Sequence, residues 1–171
     1  MYKDKKVIHL VARDSKGGIG KDNSLMWNIP EDMKFFREST LGHVCLVGRK
    51  TAESFPKPLS RRVVMCVSNS GIEDTGTLDE ALEKSLDHCE VLKTDKVFII
   101  GGQQLYDSTF DIADELWVTE VKGDFSADKH YYIPDGFHKF SFTDFMESVS
   151  GEKYQFTKYL RHTNKQLTQK P

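Results

Sequence analysis

A chain of 171 residues with 24 Lys+Arg against 26 Asp+Glu, a formal net charge of -2 and 38% hydrophobic residues is long enough to bury one sizeable core without a disulfide or metal staple, and too short for a second fused enzyme. The near balance of charge argues against a nucleic-acid binder acting through a bulk basic field, so any anion must be held in a local pocket. The longest apolar run is Val63–Val67, which predicts no membrane span, and no secretory signal is expected.

The first strand is expected at residues 7–12. It runs into Gly17-Gly18-Ile19-Gly20-Lys21, where a phosphate-binding P-loop would need Ser or Thr after the lysine and the chain has Asp22. No helical pattern begins before Pro30, so the glycine-rich stretch between strand and helix reads either as a mobile loop able to act as a lid or as a flexible surface turn. Pro30 is a favoured first helical residue, and Asp32, Met33 and Phe36 carry the helix toward Leu41. Asp32 falls in the first turn with Phe35 and Phe36 at i+3 and i+4, which places a carboxylate beside aromatic rings; Glu31 is expected to face water and Asp32 a cleft. A carboxylate there can accept two hydrogen bonds side by side from a planar, amidine-like edge. The alternative is an ordinary acidic residue at a helix start.

A second strand at 44–47 ends in Gly48, and Arg49, Lys50 and Thr51 open the next helix. Cations there oppose the helix macrodipole at a cost of about 0.3–1 kcal/mol each, which makes sense if an anion such as phosphate binds between them. Val63–Val67 is a third strand, and Thr77 with Glu80 forms a capping box ahead of Leu78, Ala81, Leu82 and Leu86. The strand at 97–100 ends in Gly101-Gly102, after which Gln103, Leu105, Tyr106 and Phe110 have helical spacing. Two strand-glycine-helix junctions in one parallel sheet suggest a dinucleotide across the carboxyl ends of the strands; alternatively the glycines only permit tight turns and the cations are solvated. After a strand at 116–121, Phe140 and Phe142 alternate on one side of Ser150-Gly151 and Tyr154 and Phe156 on the other, predicting an antiparallel hairpin at one sheet edge. Residues 163–171 read as a polar tail after one domain at 1–162. Cys45, Cys66 and Cys89 are expected to be reduced in a cytoplasmic protein, and the six scattered histidines predict no metal site.

Four ordered motifs, IGKDNSLMWNIPED at 19–32, VCLVGRKT at 44–51, PLSRR at 58–62 and IIGG at 99–102, resemble those of the dihydrofolate reductase family. The resemblance spans the chain to about Arg161. It implies an α/β fold with a central, mostly parallel eight-stranded sheet, flanking helices and an antiparallel C-terminal hairpin. The implied activity is NADPH-dependent reduction of 7,8-dihydrofolate to 5,6,7,8-tetrahydrofolate, supporting one-carbon metabolism and thymidylate synthesis, in a monomer without nucleic-acid or membrane partners. By position, Asp32 would hold the pterin 2-amino group and N3 and favour protonation at N5. Thr119 would bond that carboxylate, and Trp27 would order a water beside it. Ala12, Phe36, Phe55 and Ile100 would line the substrate pocket, with Arg62 on the substrate's α-carboxylate. Arg49, Lys50 and Ser68 match the 2′-phosphate pocket, Thr51, Gly101, Gly102, Gln103 and Gln104 the pyrophosphate cradle, and Tyr106 a place near the nicotinamide. Ala12, Ile19, Gly48, Ile100 and Leu105 complete the cofactor set, and a cis peptide is implied at Gly101-Gly102. Three departures stand out: Met26 replaces a proline before the tryptophan, Ala127-Asp128 replaces a Gly-Asp pair that braces the lid, and Gln103 replaces a third glycine. A related reductase of the same fold acting on a riboflavin-pathway pyrimidine would lack the Trp27, Asp32 and Arg62 set. Retention of Asp32 counts against a non-catalytic binding protein.

Overall fold

The computed structural model describes residues 2–68 and 76–162; the tail expected at 163–171 lies outside them. In chain order the elements are β1 (Lys6–Asp14), β2 (Gly18–Gly20), α1 (Pro30–Thr40), β3 (Val44–Gly48), α2 (Arg49–Glu53), β4 (Val63–Val67), α3 (Leu78–Leu92), β5 (Lys96–Ile99), α4 (Gln103–Thr109), β6 (Glu115–Val121), β7 (Lys129–His130), β8 (Phe137–Phe142), β9 (Met146–Glu147) and β10 (Lys153–Arg161).

Eight strands form one sheet in the order β4-β3-β5-β1-β6-β10-β8, with β9 pairing to β10. The central pairs β3–β4, β3–β5, β1–β5 and β1–β6 are parallel, whereas β10 runs antiparallel to β6, β8 and β9. The β-branched runs account for this arrangement, since Val7, Ile8, Val44, Cys45, Leu46, Val47, Phe98 and Ile99 are shielded on both sheet faces. Alternate residues enter two cores. On one face Val7, Val11, Val44, Leu46, Val97 and Ile99 pack with Ala81, Leu82 and Cys89 of α3 and with Leu105 and Tyr106 of α4. On the other, Ile8, Leu10, Cys45, Val47, Phe98 and Ile100 meet Phe35 and Phe36 of α1. The capping box at Thr77 and Glu80 is present in both directions.

Two local expectations are corrected. The glycine-rich segment is not loop throughout: β2 pairs antiparallel with β7, residues more than a hundred positions along the chain, in a separate two-stranded ribbon. Its short span and remote partner leave no periodicity to read. Glu31 does not simply face water, because its carboxylate accepts from Ser148 Oγ at 2.6 Å and Val149 N at 3.1 Å and so docks α1 onto the β9–β10 turn.

Candidate functional site

The carboxyl ends of β1, β3 and β5 and the start of α1 converge on a cleft. Asp32 is placed by the first turn of α1, where its N–H bonds Ile29 O at 3.0 Å and Pro30 removes a donor that the turn could not satisfy. Thr119 on β6, 2% exposed, donates from Oγ1 to Asp32 Oδ1 at 2.6 Å. Register sets Ala12 opposite Thr119, so both belong to the same stretch of the β1–β6 ladder. Burial pushes the Asp32 carboxyl above its ordinary range, and the Thr119 hydrogen bond draws it partly back.

Trp27 is buried in a cluster with Ile29, Val121 and Tyr154 against which Ala12 packs, and lies edge-on to Phe125 with ring centroids 5.2 Å apart. Its Nε1 is buried without a hydrogen-bond partner among the described residues, leaving a donor for a small polar molecule in the cleft. Phe36, Phe55 and Leu59 pack against the buried cluster that includes Ile100, forming an apolar wall. At the end of that wall Arg62 donates from Nε to Ser60 O at 2.9 Å and from one Nη to Thr40 Oγ1 at 3.3 Å, while its guanidinium carbon lies 6.0 Å from the Phe36 ring centroid. Those two bonds fix the arginine and leave donors on the second Nη.

On the other flank the Gly101-Gly102 peptide is cis. Gly48 N donates to Gly101 O at 2.7 Å, which closes β3 onto the end of β5. A Cβ on Gly102 would stand 2.9 Å from Thr51 Oγ1, so the glycine lets α2 and α4 approach and leaves bare backbone between them. Gln104 follows on the first turn of α4, and Leu105 and Tyr106 turn into the core. The Tyr106 hydroxyl donates to Leu10 O at 2.7 Å, and burial raises its pKa. A cavity of about 290 Å³ is lined by Asn23, Arg49, Lys50, Glu53 and Ser54. Arg49 pairs with Glu53 at 3.1 Å across one helical turn, a partly exposed ion pair worth about 0.3–0.5 kcal/mol and easily released. Ser68 closes β4 beside this region and bonds Gly76 O through its backbone.

The segment expected to act as a lid is tied to Asp128 despite the Ala127 departure. Asp22 N donates to the Asp128 carboxylate at 3.0 Å and Asp128 N to Gly20 O at 3.0 Å. Gln103, where a third glycine is common, uses its side-chain oxygen to accept from His130 N at 2.9 Å, tying the start of α4 to β7. Ile19 of β2 packs on the core. Sequence reading missed Asp14, Arg13, Glu120 and Tyr131 behind the lid, where Arg13 grips Glu120 through Nε and Nη at 2.8–3.1 Å and donates to Tyr131 O. The available signal was a pair of charged residues at the end of an otherwise apolar strand. Among the described residues no three His, Cys, Asp or Glu side chains are arranged to hold a metal ion.

Residues 6–164 match the family described as dihydrofolate reductase. The dihydrofolate reductase of Bacillus subtilis is 38% identical over 127 residues, spanning 73% of this chain and 74% of that protein. The Staphylococcus aureus dihydrofolate reductase is 32% identical over 145 residues, spanning 84% and 88%. Among solved structures, dihydrofolate reductase from Enterococcus faecalis complexed with NADP(H) and RAB-propyl superposes with a TM-score of 0.79 at 23% identity, over 94% of this chain and 98% of that one, a likeness of fold.

Proposed function

The chain belongs to the dihydrofolate reductase family, and from that premise we propose how its own residues divide the work of reducing 7,8-dihydrofolate with NADPH to 5,6,7,8-tetrahydrofolate. The fit of the cofactor rests on the bare backbone at Gly48, Gly101 and Gly102 beside the Thr51 hydroxyl, where side chains would block a pyrophosphate, and on the cationic cavity next to it. Thr51, Gly101, Gly102, Gln103 and Gln104 hold the pyrophosphate. Arg49, Lys50 and Ser68 take the 2′-phosphate, with Arg49 leaving Glu53 at small cost. Ala12, Ile19, Gly48, Ile100, Leu105 and Tyr106 flank the remainder. When bound, NADPH supplies the hydride.

The observation that carries the reading is the buried Asp32–Thr119 pair. With the Thr119 proton committed to Asp32 Oδ1, the Thr119 oxygen is free to accept from the pterin 2-amino group, while the carboxylate accepts from that group and N3. The negative charge, held away from water, raises the basicity of pterin N5. Trp27 Nε1 orders a water beside Asp32, and a solvent proton reaches N5. Phe36, Phe55 and Ile100 exclude solvent from the ring, and Arg62 anchors the α-carboxylate with its unspent donors. The lid over residues 14–25 shuts the cleft against water.

Residues 1–162 form a single catalytic domain acting as a monomer in the cytoplasm, in support of one-carbon metabolism and thymidylate synthesis. No helix among the described residues is long and apolar enough to cross a membrane. The test is loss of NADPH absorbance on adding dihydrofolate; a folded, NADPH-saturated protein that gives no turnover would refute the reading.

A further inference from the structure

Asp14 ends β1 at the root of the lid and is only 1% exposed. Its carboxylate is met by backbone donors from two directions. Oδ1 accepts from Lys16 N and Gly18 N, both at 2.8 Å, which folds the first turn of the lid around the side chain. Oδ2 accepts from Phe125 N at 3.1 Å, in the connection that leads from β6 to the lid brace at Asp128. Gly18 is held to a residue without Cβ by the same arrangement, since a Cβ there would lie 2.7 Å from Asp14 Oδ2 and 2.5 Å from the Ala127 Cβ. A second stitch runs alongside, with Ser15 N bonding Gly123 O at 2.9 Å and Gly123 N bonding Ser15 Oγ at 3.0 Å. The Phe125 ring in turn packs edge-on against Trp27.

We propose that Asp14 is a positioning residue for the reduction: one buried carboxylate sets both the root of the lid and, through Phe125, the placement of Trp27 in the cleft. The reasoning lies in the direction of its hydrogen bonds. Three N–H donors converge on two oxygens, so the site requires an acceptor on both arms, which only the ionised carboxylate offers. An asparagine, the closest isostere, has one acceptor arm; it can satisfy Lys16 and Gly18 or Phe125, and its NH2 opposes whichever remains. The lid root and the Phe125 connection thereby lose one of their two links and keep the Ser15–Gly123 stitch. Asp14 is 1% exposed and spends both oxygens on backbone N–H groups, so its effect reaches the chemistry through the two segments it joins.

This rests on the reductase reading, and the experiment separates the two. In a Trp117→Phe background, so that Trp27 is the sole tryptophan, Asp14→Asn is compared with its parent. The expected result is a changed Trp27 emission and faster amide exchange at Gly18 or Phe125 in the unliganded protein. Single-turnover hydride transfer from the NADPH-loaded enzyme slows about tenfold or more, while dihydrofolate affinity stays within about twofold because Asp32 and Arg62 are untouched. Emission, exchange and transfer rate all equal to the parent's would overturn the proposal, as would a variant that melts lower but transfers hydride at the parental rate. Should Asp14→Asn fail to fold, Phe125→Leu decides: it spares the carboxylate, removes the ring from Trp27, and must give the same rate-without-affinity loss. If the parent itself reduces no dihydrofolate, the reductase reading falls, and emission and exchange still decide the role of Asp14.

Discussion

Replacing Asp32 with Asn keeps the side-chain shape and removes its charge, and the consequences for rate and for stability run in opposite directions. Thr119 can still donate to the amide oxygen as it does to Oδ1 at 2.6 Å. The second arm becomes an NH2 that meets the pterin donor edge donor to donor. Hydrogen bonds to a charged group are worth about 1.5–3 kcal/mol each, so losing two removes about 3–6 kcal/mol of transition-state stabilisation. At about 1.4 kcal/mol per factor of ten, kcat/KM for dihydrofolate falls by roughly two to four orders of magnitude, with NADPH affinity held. Stability moves the other way. Burial raises the Asp32 pKa above its ordinary 3.8, so the native state binds the proton more tightly than the unfolded chain. The stabilisation this gives is complete below that value and is lost as pH rises through the folded pKa, so at pH 7 the ionised carboxylate weakens the unliganded protein. Asp32→Asn removes that penalty, and each kcal/mol recovered raises Tm by roughly 2–4 °C for a domain of this size. Steady-state kinetics and calorimetry at pH 7, with and without NADPH, read both effects. An unchanged kcat/KM, or a Tm below that of the parent at pH 7, would refute the assignment of the carboxylate.

Other positions give equally direct readouts. Arg62→Lys keeps the charge and loses the fork, so KM for dihydrofolate should rise by roughly tenfold to a hundredfold with kcat little changed; a pure kcat loss would place Arg62 elsewhere in the reaction. Arg49→Ala combined with Lys50→Ala should weaken NADPH far more than NADH, and Glu53→Gln, which frees Arg49 and removes a like charge from the cavity, should tighten NADPH by about twofold to fivefold; titrations showing parallel changes for both nucleotides would remove the 2′-phosphate argument. His9 is buried between Tyr131 Oη at 3.0 Å and Thr109 Oγ1 at 2.8 Å, and burial pulls its pKa to about 3. Because the unfolded chain takes up this proton first, stability is lost as pH falls from 6.5 toward 3, by up to about 1.4 kcal/mol per pH unit, and His9→Gln should flatten that part of the denaturation profile.

The parts of the fold read correctly in advance share one property: their signals are local. The strand cores at 44–47 and Val63–Val67, the Pro30 helix start and the Thr77–Glu80 box are set by residues within a few positions of one another, and each appears where expected. That Asp32, Phe35 and Phe36 belong to one helix beginning at Pro30 was also legible, because the proline marks where the helix can start. The family resemblance added Thr119 and Arg62 as expectations, since their isolated sequence contexts carry no chemical signature of their own.

Tertiary structure decided the contacts between distant segments. Thr119 reaches Asp32 across 87 residues, Phe125 reaches Asp14 across 111, and Ser148 reaches Glu31 across 117. Composition and periodicity report which residues must leave water and with what local spacing, and that was enough for an α/β chain of balanced charge. They do not report which buried carboxylate faces a hydroxyl and which faces three backbone N–H groups. That pairing follows from the order and register of strands in the sheet, and it separates Asp32, which meets the Thr119 hydroxyl, from Asp14, which meets three backbone N–H groups.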